Sequence, residues 1–189
     1  MRQKLHAYLI TDPKYYGSDP FELRSSLRNV LNTHHPDFVC YRDKESRDYA
    51  RMARTFIQEC REAGIAKVLL HTYVDLAHEL GADGVHLSSA QFDAIARAKS
   101  LGLYVIISTH SLQEALRATR LGADAVTYSP IFSTPGKGTP KGLEDLKERV
   151  DKIGINIFAL GGITSSEQVE AVARTGVYGF ASIRYFLEN

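Results

Sequence analysis

The feature that most constrains this chain is an alternation along its whole length, in which short β-branched or aromatic runs are each followed by an amphipathic helical pattern. LHAYLIT leads to FELRSSLRNVLN, DFVCYRD to SRDYARMARTFIQECREAG, KVLLHT to VDLAHELGA, and DGVHLS to AQFDAIARAKSLG. LYVIIST is followed by SLQEALRATRLGA, DAVTYSPIF by a polar loop and GLEDLKERVDKIG, and INIFALGG by SSEQVEAVARTG; YGFASIRYF ends the series. Gly64, Gly81, Gly102, Gly122 and Gly176 stand where helices should end. "LGADGVHLS" and "LGADAVTYS" nearly repeat each other, giving a helix–Gly–strand period of roughly 20–25 residues. Buried parallel strands alternating with helices form either an open doubly wound sheet or a closed barrel. Eight units, with no glycine-rich dinucleotide fingerprint after the first strand, favour the α/β (β/α)8 TIM barrel, as one domain over residues 1–189. Only RYFLEN follows the eighth strand, so the eighth helix is truncated or missing. An apolar exterior left bare there predicts a homodimer.

Charge and apolar runs remove several function classes. Lys and Arg number 23 against 22 Asp and Glu, so no global field recruits nucleic acid or an anionic membrane. No apolar run approaches the ~20 residues that span a bilayer. The start, MRQKLHAYLITD, is too short and mixed in its apolar stretch for a signal peptide, which makes the cytoplasm the expected compartment. Cys40 and Cys60 fit neither a disulfide framework nor a metal motif.

A barrel of this kind keeps its chemistry at the C-terminal ends of its strands, with phosphate usually beyond strands seven and eight. Strand seven ends in Gly161-Gly162, then Ile163-Thr164 and a helix start at Ser165-Ser166. Paired glycines let backbone approach an anion; a tight turn with a hydroxyl cap uses the same residues. Strand eight ends in Ser182-Ile183-Arg184, and an arginine beside that turn favours phosphate. Arg42 and Lys44 end strand two on one face, two cations aimed at an anion or merely solvated. The loop from Ser133 to Gly142 carries Thr134 and Lys137 and suits either an anion-gripping lid or a flexible connection; it is not a P-loop. Strand five ends Ser108-Thr109-His110-Ser111, placing an imidazole for proton transfer near neutral pH, or for bonding the next helix's first turn. His71 ends strand three and can touch ligand, whereas His86, inside strand four, reads as a core histidine. His34-His35 reads as surface. No histidine pair has zinc-ligand spacing with a third partner, so no metal site of that type is expected.

Taken in order, YLITD, YRDK, VDLAHELGADGVHL, STHS, SPIFSTPGKGTPKGLE, ALGGIT and GFASI resemble the thiamine phosphate synthase/TenI family over nearly the whole chain. The resemblance implies thiamine biosynthesis and one of two activities. Synthases join an aminopyrimidine pyrophosphate to a thiazole phosphate, and TenI-type tautomerases aromatise the thiazole phosphate by moving a proton. In synthases an Asn-Asp pair after strand three and an Asp after strand four hold Mg²⁺; here the matching residues are His71-Thr72 and Gln91. The resemblance places Arg42, Lys44, Thr134 and Lys137 on the pyrophosphate side, with Gly136 replacing a second loop hydroxyl. It places Gly161 and Gly162 at the thiazole phosphate, with Arg184 where a small serine is usual, and His110 at the tautomerase's catalytic histidine. With both metal carboxylates replaced, the expected activity is a metal-independent isomerisation with no cofactor. The alternatives are a synthase with an altered Mg²⁺ site and a non-catalytic barrel that binds a small phosphorylated ligand.

Overall fold

The computed structural model describes residues 4–187, so Met1–Gln3 and the end of the RYFLEN stub, Glu188 and Asn189, lie outside it. Eight parallel strands close into a barrel in sequence order. They are β1 (His6–Ile10), β2 (Phe38–Tyr41), β3 (Lys67–His71), β4 (Gly84–Leu87), β5 (Tyr104–Thr109), β6 (Ala125–Tyr128), β7 (Asn156–Leu160) and β8 (Gly179–Ser182). Closure is direct: His6 pairs with Gly179 and Leu9 with Ser182. The (β/α)8 expectation is met.

Alternation along each strand sorts side chains into two cores. Tyr8, Ile10, Phe38, Cys40, Leu69, Ile106 and Phe158 fill the barrel interior. Leu9, Val39, Val68, Leu70 and Val105 face outward and pack under the helices. Carrying the inward alternation toward the strands' C-terminal ends gives His71 after Leu69, Ser108 after Ile106 and Leu160 after Phe158. The interior turns polar at that end, and this is what positions a site.

The helices are α1 (Pro13–Tyr16), α2 (Pro20–His34), α3 (Tyr49–Glu62), α4 (Val74–Glu79), α5 (Ile95–Ser100), α6 (Leu112–Arg120), α7 (Gly142–Lys152) and α8 (Ser166–Ala173). Side-chain caps explain where several begin: Asp19 accepts from Phe21 and Glu22 N–H, and Ser165 forms a capping box with Gln168. The repeated LGAD segments turn at Gly81 and Gly122, with φ of 71° and 87°, a left-handed turn that glycine adopts without strain. Helices α2 and α3 are joined through Glu59, which is buried and paired with Arg24 and Arg28. No described helix is long and apolar enough to cross a membrane.

Two features depart from the sequence reading. The one-turn α1 was not expected, although Asp12 caps it and Pro13 opens it. The second concerns β8. Its outward Phe180 is covered within the chain by a 3₁₀ turn, Tyr185–Leu187, whose Phe186 stacks on it at 5.9 Å with planes 9° apart. Phe180 and Phe186 are 4% and 2% exposed. After β8 the described residues form only this 3₁₀ turn, and its Phe186 covers the outward Phe180.

Candidate functional site

A cavity of about 470 Å³ opens at the C-terminal ends of the strands. Every residue that the sequence singled out for a site lines it: Arg42, Lys44, His71, Ser108, His110, Thr134, Lys137, Gly161, Gly162, Ile183 and Arg184. Lys14, carried in by α1, also lines it, so five cationic side chains share the mouth with one carboxylate, Asp12. Asp12 pairs with Arg42 at 3.6 Å, which already offsets part of that charge. A mouth with this balance suits a phosphorylated ligand.

His110 is exposed and held by one nitrogen. Its Nδ1 lies 3.2 Å from the carbonyl oxygen of Ser129 and 3.2 Å from the Ser129 hydroxyl. A carbonyl only accepts, so that bond requires Nδ1 to carry the hydrogen. In the neutral ring that tautomer leaves Nε2 as the acceptor, the arrangement a general base needs. His110 also donates its backbone N–H to Glu114, in the first turn of α6. The bond to the next helix's first turn is therefore present, and it is made by the backbone, which leaves the imidazole on the cavity.

The glycine pair has a second reason to be glycine. A Cβ on Gly161 would stand 2.7 Å from Pro130 Cα, and one on Gly162 2.6 Å from the Ser133 carbonyl oxygen. Their φ values are 100° and 69°. The β7 turn thus presses against the long loop after β6, and two backbone bonds, Ile131 to Leu160 and Phe132 to Gly161, tie them together. At α8 the hydroxyl-cap reading also holds. Gln168 Oε1 accepts from the N–H groups of Thr164 and Ser165, which removes two donors from any anion. In the loop, Thr134 donates its hydroxyl to the Phe132 carbonyl, and Lys137 closes a turn onto Thr134. Lys141 instead sits over the Tyr128 ring, outside the cavity.

The positions matching the synthase metal carboxylates do not suit a hard divalent cation. Thr72 adopts φ 68° and donates its hydroxyl to the His71 carbonyl. Gln91 accepts from Ser88 N–H and hydroxyl through Oε1, and donates from Nε2 to the Thr72 carbonyl. Both side chains are neutral, already bonded and absent from the cavity lining. Mg²⁺ prefers carboxylate and phosphate oxygens, and this pair supplies neither.

His71 and His86, both buried, also line the cavity. Burial lowers His71 to about 4, with help from Arg42 and Lys44, and lowers His86 to about 3, with help from His71 and Arg42. Each imidazole is held neutral. Sequence reasoning missed Asp12, Lys14 and Ser129. The Asp-Pro start of α1 was the available signal for the first two.

The family model described as thiamine monophosphate synthase matches residues 7–186. A putative thiamine-phosphate synthase 2 of Aquifex aeolicus is 35% identical over 96% of this chain and 97% of its own length. A thiamine-phosphate synthase of Syntrophomonas wolfei is 32% identical over 93% of this chain and 85% of its own. Among solved structures, a thiamine phosphate pyrophosphorylase from Pyrococcus furiosus superposes with a TM-score of 0.81 at 31% identity, over 96% of this chain and 87% of that one. A structure titled native KDPGal, at 20% identity and a TM-score of 0.73, shares the fold alone. With this sequence coverage and a polar cavity at the same end of the barrel as the family's motifs, the chain belongs to the thiamine monophosphate synthase/TenI family.

Proposed function

We propose that this protein is a metal-independent isomerase that moves a proton on a thiazole phosphate. The observation that carries the reading is the exchange of chemistry at the cavity. The two synthase carboxylates are replaced by the bonded neutral side chains of Thr72 and Gln91, while His110 keeps one imidazole nitrogen as an acceptor. Aromatising a carboxylated dihydrothiazole phosphate requires one proton to leave a ring carbon and one to reach the exocyclic carbon. His110 Nε2 takes the first, and the imidazolium so formed returns a proton to the exocyclic arm, so charge and protons balance without a metal. General acid–base help of this kind supplies roughly 10²–10⁴-fold. Gly161, Gly162 and Arg184 hold the phosphate, with Lys137 assisting from across the mouth.

A second reading is favoured by specific observations. The relatives named above are called synthases, and Arg42, Lys44, Thr134 and Lys137 all line the cavity where the family resemblance places a pyrophosphate. In that reading the protein transfers an aminopyrimidine group to the thiazole phosphate through an altered metal site. The two are separated by assaying the wild-type protein for aromatisation in excess chelator and for coupling in Mg²⁺. The isomerase reading expects turnover in chelator and none in coupling; the converse result overturns it. Calorimetry gives an independent check, since Mg²⁺ binding at micromolar affinity to the ligand-free protein would restore the synthase reading.

A further inference from the structure

His86 is a buried titratable group that this chemistry leaves unused, yet it links the barrel interior to the cavity. Its Nδ1 lies 2.7 Å from the Tyr8 hydroxyl and its Nε2 3.0 Å from the Ser108 hydroxyl. Tyr8 is fully buried in the interior core, and Ser108 lines the cavity. A neutral imidazole has one N–H and one lone pair, so this chain of three bonds its hydrogens in one direction or the other. If Ser108 donated inward, His86 would donate to Tyr8, and the Tyr8 hydrogen would need its own buried acceptor. The group beside it is the Cys40 thiol, a weak acceptor. In the opposite direction every bond is strong: Tyr8 donates to Nδ1, Nε2–H donates to Ser108, and the Ser108 hydrogen is released toward the cavity. The charged and titratable groups facing this ring are His71, with centroids 5.9 Å apart, Tyr8, and Arg42 at the mouth.

We infer that Tyr8 and His86 are positioning residues that fix the Ser108 hydroxyl as a one-way hydrogen-bond donor to an acceptor atom at the ring end of the bound ligand. This rests on the reading that the cavity binds a phosphorylated ring compound, and is independent of proton transfer by His110. Its consequence is selectivity. A ring presenting a lone pair to Ser108 takes up the hydroxyl hydrogen, whereas one presenting an N–H reaches only the second lone pair of the oxygen and leaves that hydrogen without the ligand as its acceptor.

Nitrogen-15 NMR of the ligand-free protein at pH 6.5–7.5, with His86 assigned from the spectrum of His86→Asn, reads the tautomer directly. The inference expects neutral His86 with hydrogen on Nε2; hydrogen on Nδ1, or an imidazolium, overturns it. Tyr8→Phe keeps the ring packed on Phe38 and Phe158 and removes only the first donor. It should mix the His86 tautomers and weaken binding of aromatic thiazole phosphate by about tenfold, with inorganic phosphate binding unchanged. Ser108→Ala should weaken thiazole phosphate to the same degree, and the double variant should be no worse than Ser108→Ala. Additive losses, or equal losses for inorganic phosphate, would mean a structural effect and overturn the relay. If thiazole phosphate fails to bind wild type, the functional reading falls while the tautomer measurement still decides the relay.

Discussion

His71 and His86 bring two imidazoles into a barrel interior that holds both neutral, and this has a price in acid. Their folded pKa values, about 4 and about 3, lie below the ~6.5 of an exposed histidine. The unfolded chain therefore binds protons that the folded one refuses, so stability is full above ~6.5 and falls as pH drops from there toward 4. Two such groups set a slope of up to about 2.7 kcal/mol per pH unit in that window. Urea midpoints between pH 7.5 and 5 should show the loss for wild type and roughly half of it for His71→Gln; a flat wild-type profile would contradict neutral burial. At this scale the sequence was informative in part. His110, Arg42 and Arg184 were legible as strand-end residues because a barrel dictates where strand ends point. The left-handed backbone of Thr72 was not, because nothing in His71-Thr72 marks a β-branched residue for that conformation. His86 was correctly read as a core histidine, but its bond to Ser108 depends on how neighbouring strands register, with His86 paired to Ile106.

The β7 turn and the long loop after β6 pack closely against each other at one side of the cavity. Gly161 takes φ 100° and would drive a Cβ into Pro130, whereas Gly154 has only Thr119 Cγ2 at 4.0 Å and no left-handed φ. Gly161→Ala should destabilise the fold by more than about 1 kcal/mol and weaken phosphate binding. Gly154→Ala, read by the same thermal melts and phosphate titrations, should do neither. Equal behaviour of the two variants would remove the close-packing role. Element order was legible from periodicity, since each helix–Gly–strand unit repeats the same signals. The short α1 escaped because one turn offers no periodicity, only its Asp12-Pro13 start. The loop's two candidate roles could not be separated in sequence. The structure puts Thr134 and Lys137 on the cavity and turns Lys141 away onto Tyr128.

For the molecule as a whole, a net charge of +1 conceals a strong asymmetry, because Lys14, Arg42, Lys44, Lys137 and Arg184 gather at one mouth. Barrel closure was legible, since eight alternating units with buried strands leave few other solutions. The gathering of charge followed only once the strand ends were known to converge. That Phe186 folds back over Phe180 was not legible in RYFLEN, because a single 3₁₀ turn offers no periodicity. A phosphorylated thiazole should raise the melting temperature by mass action, with Arg184→Ala shrinking the shift and Lys141→Ala leaving it; equal effects would mean diffuse surface binding. The central claim, that His110 transfers the proton without a metal, is tested most directly by the aromatisation rate of His110→Asn beside wild type, both in excess chelator. Asparagine keeps the approximate shape and a hydrogen-bonding amide but exchanges no proton at neutral pH. The account predicts unchanged melting temperature and ligand affinity with turnover reduced roughly 10²-fold or more. Undiminished turnover in the variant would contradict it.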